Sequence, residues 1–316
     1  MRILMIAIND PAGTAIGFAD ALNRLTDHFC RVVTLETRYT HSWRKDLHVP
    51  DLDEAGLEEL HGELTNADVF HFHMTADEHL RLGPFLPADH LHGKTLVHHH
   101  HGHPDFRGNP GKYRDKYARL GRENLLVSTP DLLRLLPEAT WQPNLVPETA
   151  PLYTPLDERP CGPVRLAHSP TRRDLKNTDD LLDVLASMDG NGPRLELIDN
   201  APHEECLRRK RRCHMQFDHM QGYYGMSSLE GLSQGLPTVA GLDDWCAAHM
   251  REFADTGDLP WVVARGREEL TRTIRTLTAD SDLRDAIGAR SRDFMERHWS
   301  ERKVVERLCG FYDTLR

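Results

Sequence analysis

Short apolar runs alternate with segments of helical periodicity along the first half of the chain. The first run, residues 2–8 (RILMIAI), is almost continuously apolar, which is typical of a strand buried on both faces of a sheet. The same pattern predicts further strands at residues 31–35, 68–73, 95–99 and 124–127. Helices are predicted from Thr14, a candidate N-cap, and at residues 54–64, 112–120 and 130–136. This alternation with short connections predicts βαβ units and a parallel sheet.

The alternation lapses around residues 141–160 and then begins again. Five prolines in that stretch favour extended backbone, so we expect a hinge at residues 148–163. Further strands are predicted at residues 164–167, 194–198, 215–218, 237–240 and 261–264, with helices at residues 179–187, 227–234 and 267–277. From residue 281 the pattern is helical only, broken near residues 298–300. The sequence thus predicts an α/β protein of two Rossmann-like, doubly wound domains facing a cleft, with ligands at the carboxyl ends of the strands.

Composition narrows the class of protein. The 316 residues carry a net charge of −10, and this acidic balance speaks against binding along a nucleic-acid backbone. No run approaches the ~18–20 apolar residues of a membrane span, and the first residues lack the features of a signal peptide. Six scattered cysteines without a CxxC pair fit reduced thiols. We therefore expect a cytoplasmic protein.

The stretch 222–241 (GYYGMSSLEGLSQGLPTVAG) carries the most chemical information. Gly225 lies just before a predicted helix, where backbone N–H groups and the helix dipole favour an anion. Glu230 follows about one turn later, roughly 6–7 Å along the axis, where a carboxylate suits the two hydroxyls of a ribose. This spacing favours a nucleotide. The alternative is an ordinary βα turn with Glu230 exposed or placed there for its charge.

A second segment, residues 168–178 (HSPTRRDLKNT), follows the strand predicted at 164–167. Arg173 and Lys176 are three residues apart and hence on one face. Two fixed cations there can neutralise the charge of a departing diphosphate. A solvated first turn of a helix is the alternative.

These two segments resemble the donor-binding domain of GT-B-fold glycosyltransferases, particularly the retaining family-4 type. The stretch at 222–238 follows the family motif E-G-[FY]-G-x4-E, then G-x-P, and TRRDLKNT resembles its Ser/Asn-Arg and Lys-Gly/Asn-Thr element. At Gly222 the chain departs from the family, which has a glutamate there that contacts the transferred sugar. The resemblance extends to the hinge and to the last helices, and is strongest over residues 164–241.

The resemblance implies a domain assignment and a donor site. It makes residues 1–147 the acceptor-side domain and residues 164–297 the donor domain, with residues 298–316 packing back on the first. The expected donor site consists of Gly13, Arg173, Lys176, Tyr224, Gly225, Met226, Ser227 and Glu230. The substrate would be a nucleotide diphosphate sugar, with no other cofactor and no metal.

The acceptor side is expected at loops of the first half. The resemblance places Asn9 and Asp10 there, and aligns HHHHGHPDFR with a family His-Gly…Arg segment through His101 and Arg107, with His103 near the same cleft. His101 is thereby a candidate catalytic residue. Alternate histidines of a strand face opposite sides, so four in a row do not converge on one metal without a bend. Buried, hydrogen-bonded histidines are the alternative to a role at the cleft.

The expected function is transfer of a sugar from a nucleotide diphosphate sugar to a glycan, lipid-linked sugar or small molecule. The resemblance implies a hexosyltransferase-like enzyme that acts with retention and without metal. An epimerase, a silent nucleotide-binding protein and a zinc hydrolase built on the histidine run are the alternatives. The basic run at 208–212 (RRKRR) is interpreted as a solvated helix face, with docking at a membrane surface as its alternative.

Overall fold

The computed structural model describes residues 1–38, 44–188 and 190–315. The chain divides into two compact units. Unit 1 comprises Met1–Leu145 and Arg302–Arg316, and unit 2 comprises Val146–Glu301. The proline-rich segment at 148–163 therefore groups with unit 2, and the last residues of the chain return to unit 1.

Unit 1 is built on a parallel sheet. Its strands are β1 (Arg2–Ala7), β2 (Phe29–Thr34), β3 (Leu47–His48), β4 (Val69–His73), β5 (Thr95–His100), β6 (Leu125–Val127) and β7 (Thr140–Trp141). Its helices are α1 (Thr14–Leu25), α2 (Glu54–Asn66), α3 (Pro104–Gly108) and α4 (Pro110–Leu120), and α11 (Glu301–Asp313) returns to it. Over the described residues the strand order is β3-β2-β1-β4-β5-β6-β7, and every pair is parallel.

The apolar run at the start of the chain forms the central strand β1. Five of its six residues are buried, because helices cover both faces of a parallel sheet. Helix α11 packs on the same unit through polar contacts as well as apolar ones. Gln142 donates from Nε2 to the Val304 carbonyl oxygen at 3.1 Å, and Tyr312 is fully buried.

The first loop of unit 1 closes on its own helix. Gly13, with φ 63° in the left-handed region, is the residue before α1, so the prediction of Thr14 as N-cap is wrong by one position. The Asp10 carboxylate performs the capping, since it accepts from the Thr14 N–H at 2.8 Å and the Ile16 N–H at 2.9 Å. The expected helix at residues 130–136 is a 3₁₀ turn, Pro130–Arg134.

Unit 2 repeats the alternation around a second parallel sheet. Its strands are β8 (Arg165–His168), β9 (Arg194–Leu197), β10 (Met215–Phe217), β11 (Thr238–Ala240) and β12 (Val262–Val263). Its helices are α5 (Thr178–Ala186), α6 (His203–Arg211), α7 (Met226–Ser233), α8 (Asp244–Ala254), α9 (Arg267–Ala279) and α10 (Ser281–Arg297). The described residues give the order β12-β11-β10-β8-β9, again with parallel pairs. The predicted α/β architecture with two parallel sheets is confirmed.

The core of unit 2 lies where the helices cover the short strands. Leu166, Phe217 and Val239 of the sheet pack with Leu181 and Ile274 of the helices, all nearly inaccessible to solvent. Burial of these side chains fixes the strands and thereby the loops at their carboxyl ends. Within the described part of the chain, no helix combines the length and apolarity needed to cross a bilayer.

The packing beneath those loops leaves no room for a side chain at Gly241, which directly follows β11. A Cβ atom on Gly241 would lie 2.6 Å from the Met220 Cα and 3.0 Å from the Ala264 carbonyl oxygen. Because both neighbours are backbone, Gly241→Ala should lower the free energy of unfolding by about 1–3 kcal/mol. Urea denaturation measures this change. Gly257→Ala is the control, since no atom lies within 4 Å of its ideal Cβ, and a loss as large there would contradict the packing argument.

Candidate active site

Two loops of unit 2 meet at the carboxyl end of β10. Lys176, from the loop after β8, donates from Nζ to Oδ1 of Asp218 at 2.7 Å. The other carboxylate oxygen of Asp218 accepts from the Gly225 N–H and the Ser228 hydroxyl, each at 2.7 Å. One buried carboxylate therefore ties the loop that carries Lys176 to the start of α7.

Asp218 is ionised despite its burial. Burial alone would raise the pKa of this carboxyl group. His219, Lys176 and the hydrogen bonds from Lys176 and Ser228 outweigh that effect and hold the pKa well below its ordinary value. The negative charge is thus fixed in place, and it holds the ammonium group of Lys176 beside the first turn of α7.

Gly225 is required by this close approach. An ideal Cβ on Gly225 would lie 2.7 Å from the Lys176 Nζ and 3.0 Å from the Asp218 Oδ2. Any larger residue would push the lysine away from the helix start. The motif therefore requires glycine at this position, because a Cβ atom would displace Lys176.

The amino end of α7 has the properties of an anion site. It starts at Met226 after the N-cap residue Gly225, which has no side chain to cap the N–H groups of Met226 and Ser227, and no acidic residue lies in its first turn. Ser227 is partly buried, and its hydroxyl lies 3.0 Å from that of Ser169, which follows β8. Uncapped N–H groups, the helix dipole and the Lys176 ammonium together favour a phosphate here.

Arg173 does not join this group. Its guanidinium forms an ion pair with Asp199, which follows β9, and its side chain is 53% exposed. The structure therefore separates the predicted pair of cations: Lys176 lies beside the start of α7, whereas Arg173 is exposed and pairs with Asp199.

Glu230 lies one turn deeper in α7 and is buried. Its Oε1 accepts from His203 Nε2 at 2.8 Å, and its Oε2 accepts from Lys210 Nζ at 2.5 Å. Burial alone would raise its pKa, but Lys210 and His203 lower it to about 2. The alternative of an exposed Glu230 is therefore wrong, and the carboxylate is held ionised in a fixed orientation.

Lys210 is the functional candidate that the sequence analysis missed. It is fully buried on α6, where Glu230 raises its pKa against the effect of burial, and it also donates to the Ser227 hydroxyl at 3.0 Å. The interpretation of the basic run as a solvated face is wrong at this position. The signal was the spacing of His203, Leu207 and Lys210, which are four and three residues apart and share the buried face of the helix.

The side chain of Tyr224 points away from the candidate site. Its side chain is fully buried, with ring centroids 5.9 Å from Trp261 and 5.5 Å from Trp299. The ring belongs to the aromatic core of unit 2, so Tyr224, expected as a residue of the donor site, does not offer its side chain to a ligand there. Its place in the motif is explained by packing.

Gly222 occupies a tight turn beside another acid. Its φ of 87° lies in the left-handed region, and an ideal Cβ there would be 3.4 Å from Oδ2 of Asp243. Asp243 accepts from the Cys246 N–H through its other oxygen and so begins α8. A carboxylate is therefore present beside the position where the family motif has its first glutamate, although it comes from a different loop.

The predicted acceptor-side residues of unit 1 are mostly engaged in local structure. Asn9 is 7% exposed, and Asp10 caps α1. Burial raises the pKa of Asp10, while the N–H groups of Ile16, Ala15 and Thr14 oppose that shift. Asp10 also borders a cavity of about 360 Å³ at the carboxyl ends of the first two strands, together with Thr34 and Glu36.

The His-Gly…Arg segment forms a closed turn. Arg107 donates from Nε to the Gly102 carbonyl oxygen at 3.2 Å and from its guanidinium to Asp131 at 2.6 Å. His103 accepts from the Asp105 N–H and begins α3. His101 lies 2.8 Å from His73, measured between Nε2 and Nδ1. The structure thus gives Arg107 and His103 a structural role in the turn after β5.

The histidine run divides between the faces of β5, as predicted from strand geometry. His100 contacts the Tyr117 hydroxyl at 2.8 Å on one face. On the other face His99 lies beside His71 of β4, with their ring nitrogens 3.2 Å apart. Burial lowers the pKa of His71 to about 3 and that of His99 well below its ordinary value. These imidazoles are neutral at pH 7.

Comparisons with known proteins define the fold. No protein-family model and no curated protein sequence matches the chain. It is similar to Anabaena HepE (Alr3699), solved in complex with UDP and glucose, with a TM-score of 0.65 at 13% identity over 100% of both chains. It is similar to a Rickettsia africae glycosyltransferase with a TM-score of 0.61 at 12% identity, covering 98% of this chain and 97% of that one.

The similarity to S. aureus TarM, a larger protein, covers a smaller part of both chains. S. aureus TarM gives a TM-score of 0.53 at 13% identity and matches 78% of this chain, which spans 55% of the TarM chain. At these identities the comparisons establish the architecture. The chain has the GT-B fold of glycosyltransferases.

The buried Lys210–Glu230 pair predicts a large and pH-dependent effect of removing the lysine. Lys210→Met should lower the free energy of unfolding by about 3–5 kcal/mol at pH 7, because a buried carboxylate loses its cation. The deficit should shrink as the pH falls toward 5, because Glu230 without its lysine has a raised pKa and takes up a proton. Urea denaturation at the two pH values measures both effects.

Arg208→Met is the matched control on the same helix. Arg208 forms an exposed ion pair with Glu204 at 2.6 Å, and such pairs contribute about 0–1 kcal/mol. The double variant Lys210→Met/Glu230→Gln should recover much of the loss at pH 7. Equal stability of the Lys210 and Arg208 variants would contradict the assignment of a buried pair.

Proposed function

We propose that the chain is a glycosyltransferase that moves a sugar from a nucleotide diphosphate sugar to an acceptor hydroxyl. The observation that carries this proposal is the arrangement at α7. Lys176 lies at an uncapped helix start, and an ionised Glu230 lies one turn deeper. A cationic site followed by a carboxylate at this distance suits a diphosphate followed by a ribose.

The diphosphate is proposed to bind at the start of α7. Met226 and Ser227 offer N–H groups there, and Lys176 supplies a positive charge that Asp218 already holds in position. Because that charge is fixed before substrate arrives, little reorganisation is needed as negative charge develops on the leaving group. Arg173 is a second cation of the same loop, exposed and paired with Asp199, that can exchange this partner for a phosphate.

The ribose is proposed to bind at Glu230. A carboxylate accepts about four hydrogen bonds, and His203 and Lys210 use one site on each oxygen. The remaining sites can accept from the two ribose hydroxyls. Since Lys210 keeps the group ionised, Glu230 acts only as an acceptor, which favours hydroxyls over phosphate oxygens.

In the proposed reaction the bond between the anomeric carbon and the β-phosphate oxygen breaks, and that oxygen keeps the electron pair. The acceptor hydroxyl oxygen bonds to the same face of the carbon, and its proton passes to the departing phosphate. The anomeric configuration is then retained. No metal is invoked at this step, because Lys176 and the helix start stabilise the leaving charge; the acceptor is a glycan, a lipid-linked sugar or a small molecule.

The fold supports this proposal without defining the donor. HepE was solved in complex with UDP and glucose over the full length of a chain of this fold. A nucleotide sugar is therefore a reasonable substrate class to test first. The base and the sugar are tested with a panel of UDP-, GDP- and ADP-hexoses.

Substitution of Lys176 or Arg173 should lower kcat more than it weakens binding of the donor. Lys176→Ala should reduce kcat by about 10²–10³-fold, because one preorganised group no longer stabilises the leaving charge. Arg173→Ala should reduce kcat in the same direction without disturbing the buried Asp218. Release of nucleoside diphosphate from the preferred donor measures both rates.

Arg172→Ala is the matched control, because Arg172 lies in the same loop and forms an exposed ion pair with Asp174. Unchanged turnover in both the Lys176 and Arg173 variants would contradict the proposed roles. A new sugar isomer formed from the donor alone would favour an epimerase. Tight nucleotide binding with no turnover over an acceptor panel would favour a silent binding protein.

A further inference from the structure

Three histidines of unit 1 converge on one face of its sheet. His71 and His73 lie on β4, and His99 lies on β5, paired in register with His73. One ring nitrogen from each of the three lies within 4.8 Å of the other two. All three side chains are at most 2% exposed. Buried imidazoles that face one another in this way need either hydrogen-bond partners or a shared ligand.

The spacing of these nitrogens suits a metal ion. Nε2 of His71 and Nδ1 of His99 are 3.2 Å apart. In a tetrahedral site with Zn–N bonds of ~2.0–2.1 Å, two ligand nitrogens lie about 3.3 Å apart. The nitrogen of the third imidazole, His73, lies within 4.8 Å of these two, so movement toward them completes a three-nitrogen set.

The hydrogen bonding of the cluster is incomplete without a ligand. Over the described part of the chain, Nε2 of His73 is buried and has no hydrogen-bond partner, whereas Nδ1 of the same ring lies 2.8 Å from Nε2 of His101. A buried polar atom left unpaired costs about 1–3 kcal/mol. Nε2 is therefore the nitrogen that His73 can offer to a metal ion.

Neighbouring groups orient the imidazoles as the outer shell of a metal site does. The Tyr312 hydroxyl lies 2.7 Å from Nδ1 of His71, which leaves Nε2 directed into the cluster. His101 Nε2 lies 2.8 Å from Nδ1 of His73 and fixes that ring in the same way. Metal-ligating histidines usually have their second nitrogen held by such a partner.

We propose that His71, His73 and His99 bind one divalent transition-metal ion, with water as the fourth ligand. Three neutral imidazoles without a carboxylate prefer Zn²⁺, Co²⁺, Ni²⁺ or Cu²⁺ and disfavour Mg²⁺ and Ca²⁺. The site links β4, β5 and, through Tyr312, the last helix, so its role is structural. It involves unit 1 only, and its failure would leave the proposed transfer reaction untouched.

The test uses the full chain without a histidine tag, because a tag would bind the same ions. After dialysis against a chelator, the protein receives excess Zn²⁺ and passes through gel filtration, and elemental analysis should give one zinc per chain. Zinc should also raise the melting temperature, whereas Mg²⁺ should not. Cobalt should give the intense visible absorption of a tetrahedral ion without thiolate charge-transfer bands, which separates this site from the six cysteines.

Two variants with a matched control localise the ion. His99→Gln should abolish stoichiometric zinc, and Tyr312→Phe should weaken zinc binding by about 10–100-fold. His98→Gln is the control, because His98 is also buried on β5 but lies on the opposite face, and zinc binding should be unchanged. No retained zinc, equal binding by the His99 variant, or equal competition by Mg²⁺ would overturn the proposal.

Discussion

A carboxylate stays ionised inside a protein only where nearby charges or hydrogen bonds offset its burial, and in the candidate site of unit 2 a lysine does this twice. Lys210 holds Glu230 ionised on α7, and Lys176 does the same for Asp218 below the start of that helix. The two pairs fix the loop after β8, helix α6 and helix α7 with respect to one another. Their arrangement leaves an uncapped helix end facing a positive charge, which is what an anionic ligand requires.

The buried histidines of unit 1 are uncharged, instead of being paired with a group of opposite charge. The histidines of β4 and β5 are neutral, since burial lowers the pKa of His71 to about 3 and that of His73 well below its ordinary value. Neutral imidazoles can be buried at modest cost when their nitrogens have partners. Nε2 of His73 lacks a partner within the described residues, and a neutral imidazole can donate the lone pair of such a nitrogen to a transition metal.

The sequence was sufficient for the alternation of strands and helices, because buried parallel strands and amphipathic helices have distinct periods. It also placed Lys176 on the loop after β8 and Glu230 one turn into the helix that follows β10. It did not reveal that Arg173 and Lys176 diverge, since the path of a loop depends on its tertiary partners. Lys210 was not recognised within the basic run, because only its spacing from Leu207 and His203 indicates that it lies on the buried face of α6.

The register of the strands is a second feature that could not be predicted from the sequence. The consecutive histidines of β5 do alternate between faces, as predicted. The convergence of His99 with His71 and His73 depends on the pairing of β4 with β5, which the spacing along the chain does not specify. Similarly, Tyr224 lies in a motif that resembles a nucleotide site, yet its ring fills the aromatic core beside Trp261 and Trp299.

The central claim is that the first two turns of α7 bind a nucleoside diphosphate. A crystal structure of the chain with whichever of UDP, GDP or ADP raises its melting temperature most tests this directly. The account predicts a phosphate beside Lys176 at the start of α7 and both ribose hydroxyls within hydrogen-bond distance of Glu230. A nucleotide bound elsewhere, with Glu230 still contacting only His203 and Lys210, would contradict it.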